Sequence, residues 1–222
     1  DREMSSSIIQ ILVLAGVAIF LVLKLRSVLG TREGFEKPPV PAPAPDRLKG
    51  RNFEVIEGGP DRDIIDHVAE GSDAARALAA MKLAEPSFSV AQFLQGARGA
   101  YEMILMAFET GDLDKIRSFL APEVLDAFTS VVDERRAKGL TVTANFLGLR
   151  ELALQSAEFD RGSAEAEVTV RFVGELVSAT RDSAGEIVAG DAKSARKQRD
   201  VWTFARKMGS NDPNWQLVAT GE

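Results

Sequence analysis

Few side chains in this chain of 222 residues belong to the types that carry catalysis, redox chemistry or metal binding. The chain has no cysteine, its only histidine is His67 and its only tyrosine is Tyr101. The missing thiols exclude a disulfide framework and thiolate chemistry, and a single histidine excludes histidine triads and zinc clusters. No glycine-rich phosphate loop follows a predicted strand. We therefore expect no catalytic residues, no metal and no cofactor, and an ordinary polar role for His67.

Large aromatic residues are the remaining candidates for a binding site. Helices that cover one side of a curved sheet commonly leave an apolar cleft between the two layers. The residues that could line such a cleft are Phe93, Tyr101, Trp202 and Trp215. The alternative is that all four side chains simply fill the core, and the sequence leaves both interpretations open.

The overall charge of the chain excludes one class of partner. The formal net charge is -6 and the isoelectric point is near 5.1. Binding to nucleic acid needs a basic face that neutralises phosphates, so we expect no nucleic-acid partner. The hydrophobic content of 45% and charged content of 27% are typical of a foldable chain of one domain.

Helices are predicted in the first half of the domain. Ser89 can cap a helix over residues 90–109 that ends at Gly111. A second, short helix is predicted over residues 112–120, and Pro122 opens a third that ends at Gly139. The stripe that the first of them buries consists of Val90, Phe93, Leu94, Ala97, Tyr101, Ile104, Leu105 and Phe108.

After Gly139 the hydrophobic period changes from helical to two. Residues 164–172 alternate between apolar and polar, which is typical of a strand with one wet face. A hairpin turn is predicted at 182–185, another strand over 197–207, and a last strand over 215–219. Because helices precede strands, we predict an α+β fold in which helices pack on a curved, mainly antiparallel sheet.

An uncharged apolar run lies near the start of the chain. Residues 4–23 carry no charge, and about 20 such residues span a hydrocarbon core of roughly 30 Å. A cleaved signal peptide is disfavoured because no Ala-x-Ala pattern follows the run and no basic segment precedes it. We predict a short non-cytoplasmic N-terminus over 1–7 and a transmembrane helix over 8–25.

Basic residues around that run predict its orientation. Arg2 precedes it, whereas the basic residues that follow it are Lys24, Arg26, Arg32 and Lys37. Cytoplasmic flanks carry the excess of lysine and arginine, so we predict that the C-terminal bulk is cytoplasmic.

Residues 26–60 are predicted to form a proline-rich linker. The segment PPVPAPAP, from Pro38 to Pro45, favours extended polyproline II because proline fixes φ and lacks the amide donor that a helix needs. We interpret it as a spacer between membrane and domain. A role as a ligand of SH3-like partners is the alternative.

Residues 61–85 are predicted to form a helical arm before the domain proper. Ser72 can cap a helix that reaches Leu83 and must stop before Pro86. An isolated helix of about 13 residues is marginal in water, so this one must pack on its own domain, a lipid surface or another protein. Acidic residues outnumber basic ones here and disfavour an anionic membrane. We predict a partner-docking arm.

Four stretches carry a family resemblance. They are FLQGARGAYEMILMAFETGDLDKIRSFLAPEV, EVTVRFVGELVSATRDSAGEIVAGD, VWTFARK and DPNWQLVAT. Together they resemble the bacterial TimA branch of the Tim-forty-four-like family, from about Asp61 to the C-terminus. The resemblance implies a cone-shaped α+β domain of the nuclear-transport-factor-two type over 86–222.

The same resemblance implies a role and a set of partners. It implies an adaptor without catalytic residues that is bound to the bacterial inner membrane. A mitochondrial relative tethers a heat-shock chaperone to the inner-membrane translocase, and a related ribosomal protein holds ribosomes near that membrane. Translocase, chaperone and ribosome are therefore the partners that it suggests, with protein translocation or assembly as the process.

Two other functions remain open. The cone fold also hosts isomerases and hydratases, which place an acidic base beside a tyrosine donor in the pocket. A subunit of type IV secretion joins one anchor helix to a similar domain in the periplasm. The side of the membrane on which the domain lies distinguishes the adaptor from the secretion component.

Overall fold

The computed structural model describes residues 59–221 of the chain. The predicted transmembrane helix, the basic residues that flank it and nearly all of the linker lie outside this range. Within 59–221, none of the helices combines the length and the apolar character needed to cross a bilayer.

The helices precede the sheet, as predicted. They are α1 (Arg62–Ile65), α2 (Asp73–Ala84), α3 (Val90–Thr110) and α4 (Pro122–Ala137). The Ser89 side chain accepts a hydrogen bond from the Gln92 amide at the start of α3, and Gly111 ends it with a φ of 82°. Both end signals of α3 are therefore confirmed.

The short helix expected over residues 112–120 is not an α-helix. Two 3-10 turns occupy this stretch instead, Leu113–Lys115 and Arg117–Phe119. Neither turn has a capping side chain, and Ile116 separates the two turns with a φ of -117° and a ψ of 0°. Without a cap, so short a segment cannot offset the cost of nucleating an α-helix.

The sheet has four antiparallel strands in the order β1-β2-β3-β4. They are β1 (Thr141–Asp160), β2 (Glu165–Arg181), β3 (Ile187–Lys207) and β4 (Gln216–Gly221). The alternation of β2 is confirmed, since Ala166, Val168 and Val170 are all buried. The predicted fold class of helices on an antiparallel sheet is thus confirmed for the described residues.

One long strand escaped prediction, and another is longer than predicted. The pairing of β1 with β2 shifts register between Phe146 and Gly148, between Leu149 and Glu151, and again between Leu154 and Ser156. Each bulge reverses the face on which the following side chains lie, so the alternation of exposed and half-buried residues over 141–148 does not continue along the rest of β1. β3 begins ten residues before Lys197, through a stretch that is almost entirely exposed.

The helical arm packs on its own domain. Leu78 and Met81 of α2 are fully buried, and α2 lies against β1. The Asp63 carboxylate accepts hydrogen bonds from the amides of Val90 and Ala91 at the start of α3, at 2.7 and 2.9 Å. The arm is therefore part of the domain core, and its apolar face is not free for the partner that the sequence suggested.

The charges of the arm stabilise this packing. The Lys82 ammonium lies 2.9 Å from the carboxylate of Asp61 and 2.7 Å from that of Asp63. Burial alone would raise the pKa of Asp63, but Lys82 and the two amides of α3 outweigh it and lower that pKa. The acidic residues thus cap helices and pair with lysine within the domain.

Candidate functional site

An open groove of about 450 Å³ runs along α3. One face of the helix forms its floor, from Gln92 to Ile104. These positions span about 18 Å at 1.5 Å per residue. The walls come from the segment just before α3 and from later parts of the chain, namely Glu85, Phe88, Phe119, Phe204, Arg206 and Trp215.

Small residues open the groove. Gly96, Ala97 and Ala100 lie in the middle of the floor. A Cβ atom placed on Gly96 would meet no other atom within 4 Å, so the space above it is free. Glycine inside a helix lowers stability by roughly 0.5 to 1 kcal/mol relative to alanine, and at position 96 it leaves the space above the helix unfilled. The depth of the groove therefore depends on the small size of these side chains.

Aromatic rings form the apolar wall at the start of α3. The ring centroid of Trp215 lies 4.7 Å from that of Phe93 and 5.9 Å from that of Phe88. Phe88 and Phe93 are buried, whereas Trp215 is half-buried. These three rings provide a rigid apolar surface that loses little conformational entropy when it is covered.

A buried ion pair closes the same end of the groove. The Arg206 guanidinium donates to both carboxylate oxygens of Glu85, at 2.6 and 2.9 Å. Arg206 Nε also donates to the Asp212 carbonyl at 2.8 Å, and the Gly209 amide donates to Glu85 at 3.2 Å. Arg206 and the Gly209 amide lower the pKa of Glu85. The pair joins the end of α2 to the loop that leads to Trp215.

Sequence reasoning missed this ion pair. Its two residues are 121 positions apart in the chain. Arg206 lies on the buried side of β3, at a position where the alternation gives no sign of a charged partner. The one signal for this ion pair in the sequence was the position of Glu85 directly before Pro86. The helix must end before the proline, and the carboxylate at that end has no partner that the local sequence assigns.

The structure divides the four predicted pocket residues into two pairs. Phe93 and Trp215 line the groove together. Tyr101 and Trp202 lie in the core, where Tyr101 stacks on Phe172 at 4.4 Å and contacts Trp202 at 4.8 Å. The two pairs therefore have different neighbours, although Phe204 contacts both Phe93 and Trp202 and joins the two groups in one core.

The Tyr101 hydroxyl is held by a buried carboxylate. It donates to Asp200 Oδ2 at 2.7 Å, and the Gln198 amide donates to the other oxygen of Asp200 at 3.2 Å. Burial and the nearby Asp200 charge raise the pKa of Tyr101 above its usual range. A tyrosine donor beside an acid is the pair that the isomerase alternative required.

This pair is closed to substrate in the described structure. A Cβ atom on Gly174 would already lie 3.1 Å from the Tyr101 hydroxyl, so β2 passes directly over it. Neither Tyr101 nor Asp200 lines the groove along α3. The arrangement stabilises the core and leaves no room for a reacting molecule.

Metal-ligating residues are scattered in the part of the chain that is described. Within 59–221, no three histidine or acidic residues come together in a way that could hold an ion. His67 is exposed in the segment after α1.

The chain is similar to a known domain family and to solved structures. A family model described as "Tim44-like domain" matches residues 74–222. No curated protein matches the chain. Among solved structures, the intermembrane space region of the chloroplast protein ARC6 aligns with 58% of this chain and 94% of its own, at 16% identity and a TM-score of 0.41. A similarity of that size carries no argument about function.

Proposed function

The chain belongs to the Tim44-like domain family, and from that membership we propose that it is a membrane-anchored adaptor that holds a protein partner in the groove along α3. The observation that carries this proposal is the open floor at Gly96, framed by the aromatic wall. Apolar surface of this kind favours association once a partner covers it.

The shape of the groove suits a peptide segment. Its floor of about 18 Å would accommodate five to six residues of extended chain or three turns of helix. Gln92 and Asn214 are exposed at its margin and carry side-chain amides that can bond to a peptide backbone. Phe93 and Trp215 offer the aromatic anchors that dominate many protein interfaces.

The sequence and the family resemblance support a location for the adaptor. The apolar run over 8–25 is its anchor in the bacterial inner membrane, and the domain lies on the cytoplasmic side. Within the family this corresponds to the TimA branch, with translocase, chaperone or ribosome as partner. Resistance to carbonate extraction tests the anchor. Protection of the domain from protease added to intact spheroplasts tests the side, and cleavage there would support the periplasmic alternative.

Catalysis is not part of the proposed role. The Tyr101–Asp200 pair is enclosed by the core, and the ionisable residues that line the groove, Glu85 and Arg206, are bonded to each other. A general base must reach the proton that it removes, and neither carboxylate does so.

Two glycines on the same helix allow a matched test of the groove. Gly96 lines it and Gly99 does not, and neither would crowd a neighbour if it gained a side chain. Leucine at either position raises helix propensity, so both variants should fold. Gly96→Leu fills the groove, whereas Gly99→Leu leaves it open.

The measurement is affinity purification of both full-length variants from detergent-solubilised membranes, with mass spectrometry. We expect Gly96→Leu to lose its co-purifying proteins by about tenfold or more, as the loss of roughly 1.4 kcal/mol of binding energy would cause. Gly99→Leu should retain them. Equal recovery from the two variants would show that the partner docks elsewhere.

A further inference from the structure

We propose that the proline-rich segment of this same chain, Pro38 to Pro45, binds in the groove along α3, and that a partner must displace it. This inference uses the groove described above but does not depend on the adaptor role. It assigns an occupant to the site and makes the linker a competitor of the partner.

The linker meets the domain at the mouth of the groove. Asp61, near the first described residue, pairs with Lys82 at 2.9 Å. Asp63 bonds to the amide of Val90 at 2.7 Å, directly beside Ser89 and Gln92 of the groove lining. The described chain therefore begins close to the end of the groove that Ser89 and Gln92 line.

The chain is long enough to fold back. Residues 46–58 lie between Pro45 and the first described residue. Thirteen residues reach at most about 45 Å when extended, more than twice the groove floor of about 18 Å. A tether of this length holds its segment at an effective concentration on the order of millimolar. In dilute protein solution, binding of the segment to the groove of its own chain is therefore favoured over binding to a second copy.

The chemistry of the segment matches the groove. PPVPAPAP carries no charge, and aromatic-lined grooves are the usual receptors of proline-rich chains. Proline has no amide donor to desolvate and loses no side-chain entropy when it is buried. Its carbonyls remain free to accept hydrogen bonds from Gln92 and Asn214. At 3.1 Å per residue, about six residues would cover the floor.

The rest of the linker is a poorer ligand for this groove. Residues 46–58, DRLKGRNFEVIEG, include six charged side chains, namely Asp46, Arg47, Lys49, Arg51, Glu54 and Glu57. Charges that enter an apolar groove without partners lose their hydration. The ionisable residues of the groove, Glu85 and Arg206, are already paired with each other. The uncharged segment is therefore favoured.

The absence of cysteine from the chain makes the proposal testable by disulfide formation. Ala42→Cys places a thiol in the middle of the proline-rich segment. Gln92→Cys places a second thiol on the groove floor, and Arg98→Cys is the control on another face of the helix. Both residues are exposed on α3, but at 3.6 residues per turn Arg98 lies about 120° around the helix from Gln92 and outside the groove lining.

Each full-length double variant is purified in detergent micelles and oxidised with copper phenanthroline, and products are followed on non-reducing gels. We expect the Ala42–Gln92 pair to close within one chain at least tenfold faster than the Ala42–Arg98 pair. Pro41→Gly with Pro43→Gly should slow the groove pair alone. Ser87→Cys, also exposed in the groove lining, should behave like Gln92→Cys.

Two results would overturn the proposal. Equal rates for the groove and control pairs would mean that the linker only collides with the surface. Disulfide-linked dimers that form faster than the intramolecular product would mean that a second copy supplies the segment. Because purified protein is used without a partner, either result leaves the adaptor role untouched.

Discussion

Two aromatic clusters in this domain have similar ring spacings and opposite environments. Tyr101, Phe172 and Trp202 contact one another at 4.4 to 5.7 Å in the core. Phe93 and Trp215 contact each other at 4.7 Å beside the groove. The difference arises from the neighbours, because β2 covers the first cluster, whereas Gly96, Ala97 and Ala100 of α3 leave open space beside the second. Aromatic residues alone therefore do not form a groove. Small residues beside them are also needed to leave the space open.

The polar groups beside the two clusters also differ in their surroundings. In the core, a phenol donates to a carboxylate in the interior. At the groove, two full charges are paired at the boundary between α2 and the loop before β4. We expect the first cluster to control stability and the second to control binding, and the following variants test that division.

The largest effect is expected from the closed cluster. Phe172→Ala should lower the free energy of unfolding by about 4 kcal/mol, because the ring is fully buried and its loss leaves a cavity. Chemical denaturation of the domain measures it. A loss below about 1 kcal/mol would contradict the assignment of this ring to the core.

Breaking the ion pair should come next. Arg206→Met keeps an apolar stem but leaves the Glu85 carboxylate without its partner in a mostly buried position, at a cost of about 3 kcal/mol. The double variant that adds Glu85→Gln should recover part of this loss, since the unpaired charge is then gone. If the double variant is no more stable than Arg206→Met, the two residues are not coupled.

A smaller stability effect is expected from the open cluster. Trp215→Ala should cost about 2 kcal/mol, less than Phe172→Ala, because the indole is only half-buried. The same variant should reduce partner recovery as strongly as Gly96→Leu. A stability loss larger than that of Phe172→Ala, measured in the same denaturation series, would reverse the proposed division.

Removing the buried hydroxyl should have a modest effect. Tyr101→Phe keeps the stacked ring and removes only the donor to Asp200, which costs about 1 to 2 kcal/mol. Thermal unfolding of this variant beside the parent protein gives the value. An unchanged melting temperature would show that the Tyr101–Asp200 bond adds nothing to stability.

The smallest effect is a change of stability with pH. The pKa of Glu85 is lower in the folded domain than the usual value of 4.5, because of Arg206 and the Gly209 amide. Its contribution is therefore complete above that usual value and is lost as the pH falls through the lower folded pKa. Glu85→Gln should flatten this part of the acid-stability profile. An identical slope in parent and variant would contradict it.

Much of the architecture could be predicted because its signals are local. The capping serine, the apolar stripe and the terminal glycine of α3 lie within 23 consecutive residues. The alternation of β2 and the turn at 182–185 are equally short-range. Each of these features depends on backbone geometry and side-chain period, which neighbouring residues determine by themselves.

Other features needed the folded chain. The bulges of β1 depend on how β2 pairs with it, and no local pattern in β1 marks them. The sequence predicts that the arm docks a partner protein, whereas the structure places Leu78 and Met81 against the core of the same domain. An apolar face must be covered by another surface, but the local sequence does not identify that surface.

The sequence by itself thus determined the family, the order of helices and strands, and the absence of thiol chemistry. Only the tertiary structure decided which aromatic residues line the groove, since Phe93 and Tyr101 occupy the same buried stripe of one helix. Their exposure depends on contacts with Trp215 and with Phe172, which follow them by 122 and 71 positions in the chain. Burial is a property of such long-range packing, and no local pattern contains it.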